Sequence, residues 1–171
     1  MDASDIAGIA ADDVLQVAGL PLHPLIVHAV VVLTPLTVLA LLLGAFWPAA
    51  RRRLGVVTAL GALVVLVLVP ITVAAGESLA ERIGPVPAVE RHQALGEMLL
   101  PWAIALFIVA AAQWAWFRFG DARMRRGSPG AALAIGIGLA VASVVVAVGT
   151  LVVLVLIGDS GARAVWGGLL E

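Results

Sequence analysis

The side chains best suited to chemistry in this chain are three histidines, His23, His28 and His92, all placed at one edge of long apolar runs. Imidazole titrates near neutral pH, and its neutral form is a common metal ligand. Ionisable groups at a membrane boundary are costly to hold, so they mark functional positions by default. The opening segment reads Leu22-His23-Pro24-Leu25-Ile26-Val27-His28. Pro24 suits the first helical position, which predicts His23 at the helix cap and His28 about one turn inside. Five residues separate the two, roughly 140° around a helix, so they do not form a metal pair on one helix face. The more natural arrangement is one histidine per helix, with His28 facing His92 across a bundle and His23 in a supporting role.

Two neutral imidazoles from different helices suit the iron of b-type haem, gripping it from both faces of the porphyrin. Gly96 follows His92 by four residues and shares its helix face, leaving room for a flat macrocycle beside the backbone. Arg82, Arg91 and Arg163 are expected on the same side of the membrane, where guanidinium groups would pair with propionates. Glu97 would serve beside the histidines as a proton acceptor or metal ligand, or would simply reach water from a helix end. The same donors, His28, His92 and Glu97, fit a transition metal ion. A third account leaves the histidines without a cofactor, bonded only to water or backbone carbonyls. The chain has no cysteine, which removes disulfides, iron–sulfur ligation and covalent c-type haem attachment.

These residues need a scaffold, and composition points to one. Of 171 residues 63 % are hydrophobic, and the mean hydropathy is +1.14. A soluble domain of this length has no means of covering so much apolar surface, so bilayer is the natural solvent. Four apolar runs, at about 24–47, 54–76, 95–118 and 130–158, each reach the roughly 20 residues a helix needs to cross the hydrocarbon core. The fold expected is therefore an all-α membrane protein, a single-domain four-helix transmembrane bundle.

Arginines set the expected orientation. Arg51, Arg52 and Arg53 lie between the first two runs, and Arg118, Arg123, Arg125 and Arg126 lie between the last two. Positive loops stay in the cytoplasm, which puts both termini and the histidine edge on the extracytoplasmic side of a plasma membrane. The segment 1–20 carries Asp2, Asp5, Asp12 and Asp13 and no basic residue, so it reads as an acidic outer segment and not as a cleavable signal peptide. Gly84-Pro85-Val86-Pro87 reads as a breaker between the second and third spans, and Arg123 to Gly130 as a flexible turn. Gly158-Asp159-Ser160-Gly161 reads as the turn that ends the fourth.

Lipid offers little drive for helix association, so small residues are expected at the contacts. Ala132, Gly136, Ala140, Ser143 and Ala147 recur at helical spacing in the fourth span, as do Gly96, Ala103 and Ala110 in the third. Pro35, Pro70 and Pro101 each remove one backbone donor, and kinks are expected at them. Five tryptophans near span ends fit an aromatic belt. No Walker-type glycine loop is present, and Ser78 and Ser160 lack the motif of a serine nucleophile. Nucleic-acid binding has no support, since topology already accounts for the basic residues.

The segment Gly19-Leu20-Pro21-Leu22-His23-Pro24-Leu25-Ile26-Val27-His28 resembles the opening of a bacterial family of four-span membrane domains of unknown function, whose hallmark is His-Pro, two apolar residues and Val-His. His92, within Glu90-Arg91-His92-Gln93-Ala94-Leu95-Gly96, is similar to a later family histidine at the start of the third span. Gly76-Glu77 and Gly158-Asp159-Ser160-Gly161-Ala162 are similar to further family landmarks, so the resemblance covers nearly the whole chain. The chain departs from many members in having Ala29-Val30 where they have Phe-Pro, with its own proline at Pro35. Members joined to Rieske-type or c-type cytochrome domains imply a redox setting. The expectation is thus a membrane redox protein with b-type haem on His28 and His92, with quinol or an extracytoplasmic Rieske or cytochrome c-type protein as partner. The alternative is an accessory subunit or metal-binding protein using the same histidines. Whether the chain is a homo-oligomer or a subunit of a larger complex stays open at this level.

Overall fold

The structure, a computed structural model, describes residues 16–17 and 20–167. The acidic stretch that carries Asp2, Asp5, Asp12 and Asp13 lies outside the described residues. A two-residue antiparallel pairing of β1 (Gln16–Val17) with β2 (Leu20–Pro21) leads directly into α1, Leu22–Phe46. Then follow α2 (Pro48–Ile83), α3 (Pro87–Glu97), α4 (Leu99–Ala115), a π-helical stretch (Trp116–Gly120), α5 (Asp121–Gly127) and α6 (Pro129–Trp166).

Proline sets the helix starts. Trp47, Val86 and Ser128 each hold a non-helical conformation directly before Pro48, Pro87 and Pro129. The ring of a proline pushes its predecessor out of the helical region, while its own fixed φ suits the first helical position. Gly84, at φ 86°, ends α2 in a backbone conformation that favours glycine. The break at Met98 between α3 and α4 has the same origin. Pro101 has no N–H to offer the Glu97 carbonyl, and the Met98 N–H bonds the Leu95 carbonyl instead at 3.2 Å. Pro35 and Pro70 stay inside continuous helices.

Several boundaries differ from the expectation. Arg51, Arg52 and Arg53 belong to the first turns of α2, and the connection between α1 and α2 is Trp47 alone. The supposed flexible turn at Arg123 to Gly130 is helical except at Ser128. The supposed turn at Gly158 to Gly161 is helical too, because α6 runs on to Trp166. There Asp159 takes the Arg163 guanidinium one turn on, at 2.9 and 3.1 Å, a pair that suits a helix face and not a turn.

Four helical stretches, 22–46, 48–82, 87–127 and 129–166, are long and apolar enough to cross a membrane. In the bundle α1 packs on α2, α2 on α4, α4 on α6 and α6 on α1, while α3 lies against α6. Val38, Leu41, Val65, Ala103, Leu106 and Ala147 are among the residues of its core. Large apolar side chains such as Leu36, Val57, Ile108, Val145 and Val155 point outward, as lipid-facing residues do. The small-residue expectation holds for Ala103, Ala110, Ala132, Ser143 and Ala147, which are buried. Gly136 and Ala140 are only half-buried, and nothing packs within 4 Å of where a Gly136 Cβ would stand.

Polar groups fasten the arginine-rich end. The buried Gln113 amide of α4 donates to Ser143 Oγ of α6 at 3.2 Å and reaches the Leu41 carbonyl of α1 at 3.5 Å. Arg51 donates to the Gly44 and Ala45 carbonyls at 2.6 Å each, closing the end of α1, and its guanidinium lies 3.4 Å over the Phe117 ring. In apolar surroundings such bonds between helices are worth about 1 kcal/mol each.

Packing is tight between α4 and α6, where a Cβ on Gly149 would fall 2.0 Å from carbons of the Trp102 ring. Gly149→Ala should therefore lower thermal stability by about 1–3 kcal/mol through overpacking. Gly138→Ala, with open space around it, should be neutral or slightly stabilising. Thermal unfolding of the two variants in one detergent checks the contrast.

Candidate functional site

At the end of the bundle opposite the arginines, α1, α2, α3 and α6 enclose a cavity of about 460 Å³. That volume lies within the range of about 300–1,000 Å³ usual for small-molecule and cofactor sites. Its walls are apolar except for His23, His28 and Thr72 on α1 and α2 and His92 and Gln93 on α3. Gly76, Gly96, Gly158 and Gly161 also line it. Gly96 and Gly158 have nothing within 4 Å of where a Cβ would stand, so these two positions leave the cavity unfilled.

Each imidazole is held by the nitrogen nearer its own backbone. His23 Nδ1 donates to the Thr72 carbonyl of α2 at 2.9 Å. His28 Nδ1 donates to the Pro24 carbonyl one turn earlier in α1. Ser160 Oγ donates to the Ile157 carbonyl at 3.0 Å and so accepts from His92 Nδ1, also at 3.0 Å. A carbonyl offers only lone pairs, and the Ser160 proton is already committed, so Nδ1 bears the proton in all three rings. Nε2 is then the lone-pair nitrogen of each, the state in which histidine ligates metal or accepts a hydrogen bond.

Glycines seat two of these rings. A Cβ on Gly76 would stand 2.9 Å from His23 Nδ1 and Cε1, and one on Gly161 would stand 3.0 Å from His92 Cε1. The ring centres are 6.3 Å apart and the ring planes stand at 88°. His23 is thus the close neighbour of His92, where the sequence had suggested His28. The reason is the start of α1: the helix begins at Leu22, so His23 is inside its first turn and turns toward α2. His28, on another face of the same helix, is exposed and lies along the cavity rim.

The other expected site residues divide. Gly96 lines the cavity with nothing within 4 Å of where its Cβ would be. Arg82, Arg91, Arg163 and Glu97 are all exposed, and none of them is among the cavity-lining residues. Arg163 is engaged by Asp159, a consequence of α6 continuing as helix. Glu97 ends α3, exposed and outside the cavity lining. Among the described residues no group of three or more His, Cys, Asp or Glu converges as a metal-ion site would. Residue-level reasoning did not identify Thr72 and Ser160 as ring partners, nor Gly76 and Gly161 as ring seats. The family-like landmarks Gly76-Glu77 and Gly158 to Ala162 were the sequence signal for Gly76, Ser160 and Gly161, and Thr72 had none.

Four apolar helices closing around an imidazole-lined cavity define a four-span membrane protein with a built internal site. The chain belongs to the family described as "Predicted membrane protein (DUF2231)", whose profile matches residues 19–170. Comparison with curated proteins and with solved structures returned no match.

The Ser160 hydroxyl fixes the His92 tautomer, so Ser160→Ala should release it. Nitrogen-15 spectra of histidine-labelled protein should show one ring, that of His92, moving from protonated Nδ1 toward a mixture of tautomers. His23 and His28 signals should stay unchanged.

Proposed function

We propose that this protein is an integral membrane redox component that holds b-type haem in the histidine-lined cavity and passes electrons, with His23 and His92 as axial ligands. The observation that carries the proposal is the His23–His92 pair. Two imidazoles bound to one iron from opposite sides through metal–nitrogen bonds of about 2 Å have centres about 6 Å apart. The separation here is 6.3 Å, on rings that come from different helices and whose Nδ1 protons are already tied to oxygen. An apolar cavity of about 460 Å³, with Gly96 leaving one wall bare, fits a flat macrocycle better than a small ion.

Haem held this way supplies one-electron chemistry by alternating between ferric and ferrous iron. The chain's own part is to hold and to shield. Thr72 and Ser160 orient the two imidazoles and keep Nε2 deprotonated. Gly76 and Gly161 let the rings lie against helix backbone. The apolar walls exclude water, which favours the less charged iron state and so tunes the potential. Arg91, exposed at the same end, would pair with propionates that emerge from the cavity.

The arginine-rich end, with Arg52, Arg53, Arg118, Arg123, Arg125 and Arg126 exposed, supports an orientation in which that end faces the cytoplasm of a bacterial cell. The cavity then faces the extracytoplasmic side of the plasma membrane. Its partner would be quinol or an extracytoplasmic Rieske or cytochrome c-type protein.

Protein purified in detergent from haem-replete cells should show a Soret band, and His23→Ala and His92→Ala should each abolish or strongly shift it. No Soret band after haem supplementation would overturn the proposal. Metal analysis on protein made without a histidine tag separates the alternative, since stoichiometric zinc, copper or nickel lost in both variants would assign the pair to an ion.

A further inference from the structure

The cavity is not walled equally on all sides. Along α1 its lining includes Pro24, His28 and Val31, and along α6 Gly158, Ala162 and Val165. All six are exposed, and in each helix the spacing of four and then three residues makes one stripe. The wall opposite, represented by Val73, Gly76, Val89 and His92 of α2 and α3, is half-buried throughout. Deeper in the bundle the same two helices are held together, through Gln113 reaching both the Leu41 carbonyl of α1 and Ser143 of α6. The cavity therefore opens sideways, between the histidine-end halves of α1 and α6.

The depth of this opening decides what meets it. His28 lies six residues into α1, about 9 Å along the helix axis, and Val31 lies lower still. Both are inside an apolar run long enough to span a membrane, so the α1 side of the gap faces hydrocarbon, while its α6 side, flanked by the exposed Asp159–Arg163 pair, reaches the headgroups. A molecule entering there must dissolve in the bilayer. The rim offers it apolar contact and one hydrogen-bonding atom, His28 Nε2, an acceptor because Nδ1 donates to the Pro24 carbonyl. The fitting ligand has an apolar body and a hydroxyl to donate.

We propose that the gap between α1 and α6 is a lateral portal that binds a membrane quinol, with a quinol hydroxyl donating to His28 Nε2. The choice of quinol among hydroxyl-bearing lipids rests on the redox reading of the neighbouring His23–His92 pair. The portal itself rests on exposure and depth alone. His28 is thereby a quinol-binding residue, separate from the two imidazoles assigned to haem.

The test uses the full chain in phospholipid nanodiscs, with binding of reduced decylubiquinone and the Soret band measured on the same samples. Wild type should bind the quinol saturably, and diacylglycerol should not compete. His28→Leu should weaken binding about tenfold, the scale of one lost hydrogen bond, while keeping the Soret band, and Ala162→Trp, which fills the rim, should weaken it as far; both should keep thermal stability. Ile108→Trp, on a lipid-facing surface of α4 away from the cavity lining, should change nothing. Unaltered quinol binding in both rim variants, or none by wild type, overturns the portal, and equal competition by diacylglycerol overturns the choice of quinol. Loss of the Soret band in His28→Leu makes His28 an iron ligand and also overturns the assignment. Quinol binding with the expected variant pattern but no Soret band in wild type upholds the portal and counts against haem.

Discussion

Hydrocarbon cannot hydrogen-bond, so polar groups inside this bundle must find partners within the protein, and that demand shapes the structure at both ends. At the histidine end it ties Nδ1 of each imidazole to an oxygen of the fold. At the arginine end it wedges Arg51 onto the free carbonyls of α1 and sends the Gln113 amide between α1 and α6. Among the described residues, the buried Thr34 and Thr150 hydroxyls and the Trp116 indole N–H stand outside the pattern. The chemical consequence is confined to the histidines. Fixing one ring nitrogen as a donor leaves the other available, so the cost of keeping imidazole in an apolar setting is offset by the same bonds that prepare it to bind something.

The helices approach one another unevenly. Between α4 and α6 the packing is tight enough that Gly149 has no room for a methyl group beside Trp102. Around the cavity, Gly96 and Gly158 leave space, while Gly76 and Gly161 seat the His23 and His92 rings. Glycine thus serves opposite purposes in one bundle. At Gly149 it permits contact, whereas at Gly96 and Gly158 its surroundings are open. Closely packed beside a hollow, the bundle holds a small number of polar atoms in a shaped space without a loop to cover it.

Much of the fold was legible in the sequence. Apolar run length gave the four spans, and Pro48, Pro87 and Pro129 act at helix starts as proline chemistry requires. Boundaries were less legible where a glycine-rich or charged stretch stays helical. Gly158 to Gly161 has the composition of a turn, yet Asp159 and Arg163 pair along a continuous helix face. The site was legible only in outline. All three histidines line one cavity, and the roughly 140° between His23 and His28 around α1 leaves them on different helix faces. Which of the two stands beside His92 depended on α1 starting at Leu22, and boundaries are what local sequence determines least well. Thr72, Gly76, Ser160 and Gly161 were invisible as a group because they come from α2 and α6 and meet the rings only through packing.

The central claim is that His23 and His92 grip one iron with their ring planes nearly perpendicular. Low-temperature electron paramagnetic resonance of the oxidised protein tests it most directly. The account predicts a low-spin ferric signal of the strongly anisotropic kind given by two crossed imidazoles, as the 88° between these rings requires. A high-spin signal, a low-spin signal typical of parallel imidazoles, or a signal unchanged in His23→Ala would contradict it.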